Sequence, residues 1–426
     1  MSHRPVPISR LILYASPLLA GGAMQFLVSN ALISYATDTL LLSAGFVGSM
    51  FLVSRVWDAF NDPLIGYWVE KKSKTGTLLS SWIFKSSFFT AGTFALLWIN
   101  PFAANSIPAA AFFGGMLILF FSFLTFLFVP HYALASKLGD SKKSLSSLFG
   151  ARVIFENLGT FLAIGLLGAA GTSLAGTHAV IVFLAIALIL LSAYQRSRIQ
   201  EQPSTDAVGS SSSFFPLLKD SRLRIVFFVA VLGQIGATLL MATANYQAKY
   251  ILQSPEAGSL LVGLFFLAAT FSIPLWSLAV RRWGQWNVWL IGEIGLFLSF
   301  FGIFLFGLQT GPALLLLCVL AGLAAASPLF LQPTIISSCL SSSDANHQAL
   351  GFSLFTFLNK VAMGLAVFVL GTSLEMVGYQ GGAAVNPAIL ETIHRLFSLV
   401  PALCFFVAAV VLITTRSKFE FLKTEQ

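Results

Sequence analysis

About twelve stretches of roughly 20 predominantly apolar residues run through the 426-residue chain. A helical run of that length matches the hydrocarbon thickness of a bilayer. The stretches centre near residues 24, 55, 88, 119, 160, 184, 237, 268, 297, 322, 362 and 403. In hydrocarbon every backbone N–H and C=O must find its partner within the protein, which drives such runs into helices. Composition agrees, with 57% hydrophobic and 9% charged residues and a mean hydropathy of +0.86. A soluble domain carries about 25% charged residues. The expected fold class is an all-α membrane protein of twelve transmembrane helices. The first run, about Leu11 to Leu41, is too long for the apolar core of a signal peptide and reads as a true span.

The net charge of +8 hints at nucleic acid in a soluble protein. Here the basic residues alternate with the spans. Arg4 and Arg10 precede the first. Lys71, Lys72 and Lys74 follow the second, Lys137, Lys142 and Lys143 the fourth, and Arg196, Arg198, Lys219, Arg222 and Arg224 the sixth. Arg281 and Arg282 follow the eighth, and Arg416, Lys418 and Lys423 the twelfth. The opposite side receives only Lys249 and Arg395. That asymmetry places both termini in the cytoplasm, and it removes nucleic acid as a partner. Cys318, Cys339 and Cys404 have no disulfide or metal spacing and read as small core residues.

The longest polar segment, about Gln195 to Arg224, contains the run Ser210–Ser213 and reads as a flexible linker. It divides the chain into an N-terminal six-helix bundle (1–195), a cytoplasmic linker (196–222), a C-terminal six-helix bundle (223–416) and a cytoplasmic tail (417–426). Two six-helix halves imply alternating access around a midplane site. Close spacing of Gly and Ala, as at Gly21-Gly22 and Gly159 to Gly171, allows tight helix packing without naming a substrate. The 42 phenylalanines face lipid or pack between helices.

Chemistry concentrates in the second span, at Arg55-Val-Trp-Asp58-Ala-Phe-Asn61-Asp62-Pro63. A charge at mid-bilayer costs about 2.5–3.5 kcal/mol on insertion scales. Asp58 and Asp62 are four residues apart and share one helix face, with Arg55 one turn before. Two carboxylates one turn apart supply hard oxygen ligands for Na⁺, or bind a proton, and Asn61 offers an amide oxygen beside them. The structural alternative is an ion pair with Arg55, although one arginine leaves the second carboxylate uncompensated. Lys360, beside Asn359 in the eleventh span, is the only lysine deep in the second half, and its natural partner is the aspartate pair. A lysine competing with a cation for carboxylates couples ion binding to conformation. A fixed salt bridge is the alternative.

Arg152 and Glu156 are also four apart in the fifth span, where they either pair or contact substrate. His131, after Pro130 near the end of the fourth span, reads as an interfacial residue. Glu293 in the ninth span has no partner evident from sequence.

Arg55-x-x-Asp58-x-x-Asn61-Asp62-Pro63-x-x-Gly66, followed by Glu70-Lys-Lys-Ser-Lys-Thr-Gly76, resembles the signature of the glycoside–pentoside–hexuronide:cation symporters. These form the melibiose-permease branch of the major facilitator superfamily. The resemblance extends along most of the chain, through Tyr35-Ala-Thr37-Asp38, Pro130-His-Tyr-Ala-Leu134, Arg152 and Lys360. It implies a cation site of Asp58, Asn61, Asp62 and Thr125, with Na⁺ or H⁺ as the coupling ion and Asp58 and Asp62 as the metal ligands if the ion is Na⁺. It implies no prosthetic cofactor and no enzymatic activity. Where sugar-transporting members hold an aspartate on span one and another on span four, this chain has Gly22 and Phe128. That loss removes paired acceptors for hydroxyl groups. The stretch from Ser337 through Cys339 to Asp344 and His347 also thins the family's acidic loop. Arg152-x-x-x-Glu156-x-x-Gly159-Thr160 is similar to the sodium-dependent lysophospholipid symporters.

The expected function is a cation-coupled symporter acting as a monomer in a lipid bilayer, with a bacterial inner membrane as its location. Its expected partners are a small-molecule substrate, by default a sugar or glycoside, and the coupling cation. An amphipathic lysolipid is the alternative substrate. Substrate-site candidates are Gly22, Phe128, Arg152, Glu156 and Asn359. An intramembrane aspartyl protease places its two aspartates on separate helices, and these share one. A channel lacks a need for the lysine–aspartate set.

Overall fold

The computed structural model describes residues 6–74, 78–138, 142–171, 173–199, 219–254, 257–306, 311–340, 345–382 and 384–423. Most of the linker, the end of the Glu70–Gly76 loop, residues 341–344 of the thinned acidic loop and the last three residues of the tail lie outside these.

The described residues form helices and short connections only. In order these are α1 (Ile8–Asn30), α2 (Leu32–Asp38), α3 (Ala44–Lys74), α4 (Leu79–Trp98), α5 (Ile107–Leu138), α6 (Lys142–Ala170) and α7 (Leu174–Arg198). Then follow α8 (Ser221–Tyr246), α9 (Ala257–Phe306), α10 (Pro312–Cys339), α11 (Ala345–Met376), α12 (Pro387–His394) and α13 (Val400–Thr414). Short π segments extend α8 (Gln247–Ile251) and join α12 to α13 (Arg395–Leu399), and a 3₁₀ segment (Arg416–Lys423) follows α13.

Among the described residues nine helical segments are long and apolar enough to cross a membrane. Two further helices, α3 and α4, are excluded by their own chemistry. Arg55, Asp58 and Asp62 lower the hydropathy of α3, and Lys85 with Ser80, Ser81, Ser86 and Ser87 lowers that of α4. Continuous α9 holds two spans, because the chain breaks at Gly284 with φ 77° and ψ 159°, a region that favours glycine. Counted this way, the spans reach the twelve expected.

Local signals set the helix ends. Ser173, Asp220 and Asn386 cap α7, α8 and α12 with side chains that accept from the backbone N–H of Gly176, Arg222 and Ile389. Pro312 and Pro387 stand in the first turns of α10 and α12, where a missing N–H costs nothing. Pro63 and Pro130 lie inside α3 and α5 without ending them.

Contacts divide the chain into two compact units, residues 1–42 with 53–208, and residues 43–52 with 209–426. In the first, α1 packs on α6 and α7, and α4 on α5 and α7. A Cβ on Gly22 of α1 would stand 2.5 Å from the Glu156 carbonyl oxygen, and one on Gly159 of α6 would stand 2.9 Å from the Ala23 nitrogen. Backbones meet there because neither residue has a side chain, the usual means of joining helices where lipid is as apolar as leucine.

The second unit packs α9 on α10 and α13, and α8 on α11 and α13. Ser327 donates to the Val288 carbonyl (2.8 Å) and Trp276 to the Leu323 carbonyl (2.6 Å). The start of α3 joins this unit at Gly48, whose Cα would stand 3.0 Å from a Cβ placed on Gly371 of α11.

Candidate functional site

The acidic face of α3 turns inward. Arg55 is 3%, Asp58 4% and Asn61 7% exposed, while Asp62 is half-buried. The opposite face, with Trp57, Phe60, Leu64 and Tyr67, is exposed. The helix is thus amphipathic in the sense a membrane demands, with charge inside and large apolar groups outside.

Thr125, 4% exposed on α5, stands against this face. Its hydroxyl oxygen lies 2.6 Å from Asp58 Oδ1 and 3.1 Å from Asp62 Oδ1. A threonine hydroxyl has one proton to donate and two lone pairs, so it cannot satisfy both carboxylates at once. A small hard cation accommodates all three oxygens together, because each then serves as a ligand. The donor set is oxygen only, which suits Na⁺ and disfavours soft transition metals. No cluster of three or more His, Cys, Asp or Glu suited to a metal occurs among the described residues. Asn61 completes the face, and its side-chain nitrogen has no hydrogen-bond partner.

Arg55 is held from three sides. It donates to Ser29 of α1 at 3.3 Å, lies 3.9 Å from Asp58 Oδ2, and rests its guanidinium carbon 3.9 Å from the centre of the Phe121 ring. At 3.9 Å the ion pair with Asp58 is loose. Thr125 makes the shorter approach.

A second polar group lies along α5 and α6. Arg152 pairs with Glu156 at 2.7 Å, donates to the Tyr132 hydroxyl, and sits 3.8 Å over the Tyr132 ring. Tyr132 therefore holds Arg152 from α5, the helix that also carries Thr125. Phe128 packs edge-on to Tyr132, with ring centroids 6.5 Å apart. It also lies against Gly21, where a Cβ would be 3.1 Å from its ring.

Asp58, Asn61, Asp62, Thr125 and Arg55 therefore come together in the first unit, as do Phe128, Arg152 and Glu156 beside Tyr132. Gly22 lies against the backbone of Glu156, a close-packing position. Asn359 and Lys360 are half-buried on α11 of the second unit.

Sequence reasoning missed Tyr132, Ser29 and Phe121. Tyr132 was accessible in principle, since Thr125, Phe128 and Tyr132 follow the i, i+3, i+7 spacing of one helix face. Ser29 and Phe121 carry no sequence signal, because only packing brings them to Arg55. His131 is not the interfacial residue its span-end position suggests. It is 1% exposed, packs its ring at a tilt against that of Tyr14 with centroids 4.3 Å apart, and hydrogen-bonds the Tyr14 carbonyl at 2.7 Å, beside Gln195 of α7. The helix continues past Pro130 and carries His131 into the α1–α7 packing. Glu293, without a partner from sequence, accepts from Trp289 at 2.8 Å one turn earlier.

Comparison with known proteins agrees with this architecture. The family described as MFS/sugar transport protein matches residues 13–416. The sodium-dependent lysophosphatidylcholine symporter 1 of Xenopus tropicalis is 23% identical, over 92% of this chain and 85% of that one. The inner membrane symporter YicJ of Escherichia coli (strain K12) is 22% identical, over 88% and 85%. The crystal structure of nucleoside transporter NupG superposes with a TM-score of 0.71 at 16% identity, over 97% of this chain and all of that one. The chain belongs to the MFS/sugar transport protein family, and it is a multi-pass membrane transporter rather than an enzyme.

Proposed function

We propose that the protein is a cation-coupled symporter of a small organic solute that works by alternating access. The observation that carries this reading is Thr125 Oγ1 between Asp58 and Asp62, at 2.6 and 3.1 Å on a buried face. Asp58 and Asp62 supply charge, Thr125 a hydroxyl and Asn61 an amide. Na⁺ suits this oxygen set, and H⁺ uses the carboxylates alone. Arg55 stays on Ser29 and Phe121 and sets the resting charge of the site. Lys360 is the coupling residue in this reading, because an ammonium that competes with a cation for carboxylates links ion binding to conformation. By reciprocity, substrate raises cation affinity by the factor that cation raises substrate affinity.

Sugar or glycoside is the first substrate class, from the family. Asn359, Arg152 and Glu156 supply the polar contacts, and Phe128 an apolar one. A lysophospholipid is the second, favoured by Phe128 in place of an acidic group and by the likeness to the Xenopus tropicalis symporter. We place both termini in the cytoplasm, the halves either side of the 196–222 linker, and the working protein as a monomer in a bacterial inner membrane.

The test is uptake into proteoliposomes with imposed Na⁺ or H⁺ gradients, after a thermal-shift screen of sugars, amino acids and lysolipids with and without Na⁺. Asp62→Cys abolishes gradient-driven uptake in this reading. Unchanged cation-stimulated uptake in that variant refutes the cation site, and full accumulation by Lys360→Ala leaves Lys360 structural.

A further inference from the structure

Outside the acidic face, the first unit holds a groove between α4 and α5. Ser81, Trp82, Lys85 and Phe89 of α4 line it with Phe123 and Phe126 of α5, around a space of about 460 Å³ that is open to the outside. That volume falls within the range of about 300–1,000 Å³ typical of ligand sites. Helix geometry builds the groove. Ser81, Trp82, Lys85 and Phe89 follow the i, i+1, i+4, i+8 spacing of one helix face, and Phe123 and Phe126 are one turn apart on the other wall. Phe89 stacks on Phe123 with ring centroids 5.0 Å apart, and Trp82 on Phe126 at 6.2 Å.

Lys85 is exposed in this groove, and the protein gives it no counter-charge. Neither α4 nor α5 contains an acidic residue, and Lys85 forms no ion pair with a described residue. Phe88 and Phe89 beside it are 48% and 58% exposed. On a membrane-spanning helix such an outward apolar face meets lipid. A lysine there is costly unless its head reaches the interface or an anion accompanies it. Lys85 stands six residues inside the start of α4 at Leu79, about 9 Å along the helix. Trp68, at the end of α3 that leads into the Glu70–Gly76 loop, is 54% exposed and approaches Phe126 with centroids 6.2 Å apart. Exposed tryptophan at a span end marks the headgroup level of the bilayer. The groove thus joins a positive charge near the headgroups to an aromatic wall within reach of the acyl chains.

We propose that this groove binds an anionic phospholipid of the phosphatidylglycerol type. Its phosphodiester accepts from the Lys85 ammonium and the Ser81 hydroxyl, and an acyl chain lies along Phe89 and Phe123. The lipid's net negative charge supplies the counter-charge that the protein lacks. Phosphatidylcholine brings a quaternary ammonium of its own. The stacked rings turn their faces toward one another rather than around such a group.

The test uses the purified full chain in mixed micelles of dioleoylphosphatidylglycerol and dioleoylphosphatidylcholine, with retained lipid read by native mass spectrometry. The wild type retains phosphatidylglycerol in preference to phosphatidylcholine. Lys85→Gln lowers that preference about fivefold, the effect of one basic residue at an anionic surface, and Lys85→Arg keeps it. Ser81→Trp leaves the charge in place but fills the groove, and it lowers phosphatidylglycerol retention by a similar factor. Equal retention of the two lipids by the wild type overturns the proposal, as does a preference for phosphatidylcholine. A preference that Lys85→Gln leaves unchanged also overturns it, and assigns retention to the basic surface at large. So does a loss in Lys85→Gln without a loss in Ser81→Trp, since Lys85 then acts from the open surface. Lys85 is exposed, so its variants fold and decide the outcome even if Ser81→Trp does not.

Discussion

Asp58 and Asp62 share a helix face but not an environment. Asp58 is nearly sealed, with Thr125 at 2.6 Å and Arg55 at 3.9 Å, whereas Asp62 is half-buried with Thr125 at 3.1 Å. Thr125→Val removes the oxygen that joins them, and Thr125→Ser retains it. A hydrogen bond or ligand contact to a charged group contributes about 1.5–3 kcal/mol. The valine variant therefore needs at least about tenfold more cation for half-maximal uptake, and the serine variant stays near wild type. Titration of uptake against Na⁺ or pH checks this. Glu293 makes a different residue-scale prediction. It is fully buried and accepts from Trp289. Glu293→Gln keeps an acceptor for that N–H, while Glu293→Leu leaves it unpaired and costs about 1–3 kcal/mol. Thermal melts in detergent separate the two, with the glutamine variant the more stable.

At the scale of elements, α1 and α6 meet through Gly22 and Gly159. Gly159→Val forces a side chain into the backbone of Ala23 and costs about 1–3 kcal/mol by overpacking. That loss of thermal stability comes with a shift of Glu156, which faces Gly22 across the same contact. The α8 cap offers a pH handle. Burial alone raises the Asp220 carboxyl, but hydrogen bonds from the Arg222 side chain and backbone and from the Leu223 backbone outweigh it, and the net value lies below the ordinary one. A lowered carboxyl stabilises the fold above its unfolded pKa, and that stability is lost as pH falls through the folded value. Asp220→Ala thus lowers stability by about 1 kcal/mol near neutral pH. It also flattens the acid limb of the stability–pH profile, measurable by melting across pH 3–7.

For the whole molecule, a cation that binds the native state stabilises it by mass action. The gain reaches about 2.7 kcal/mol at one hundred times the dissociation constant. Melting temperature therefore rises with Na⁺ or with the coupling ion used, K⁺ serving as the control for ionic strength. Asp58→Asn removes the response without removing the fold. A wild-type melt indifferent to Na⁺ and to pH leaves the acidic face without a coupling ion.

Much of this was legible in the residues. Membrane spans announce themselves, because a bilayer tolerates only long apolar helices. The i, i+4 spacing of Asp58 and Asp62 fixes their shared face by helix geometry alone. The same rule applied to Thr125, Phe128 and Tyr132 finds the facing helix. What remained hidden depends on which helices meet. Ser29 and Phe121 reach Arg55, Tyr14 and Gln195 enclose His131, and Phe419 covers Trp286, all across sequence separations that no local pattern encodes. Gly22 shows the boundary between the two. The sequence marks it as a missing acidic group, and only the packing of α1 on α6 reveals that its bare Cα lies against the Glu156 backbone. Covalent spacing and hydrocarbon solvent thus determine the helices and the inward face of α3. Close packing between distant helices decides which oxygen completes the site and which buried groups are left seeking a partner.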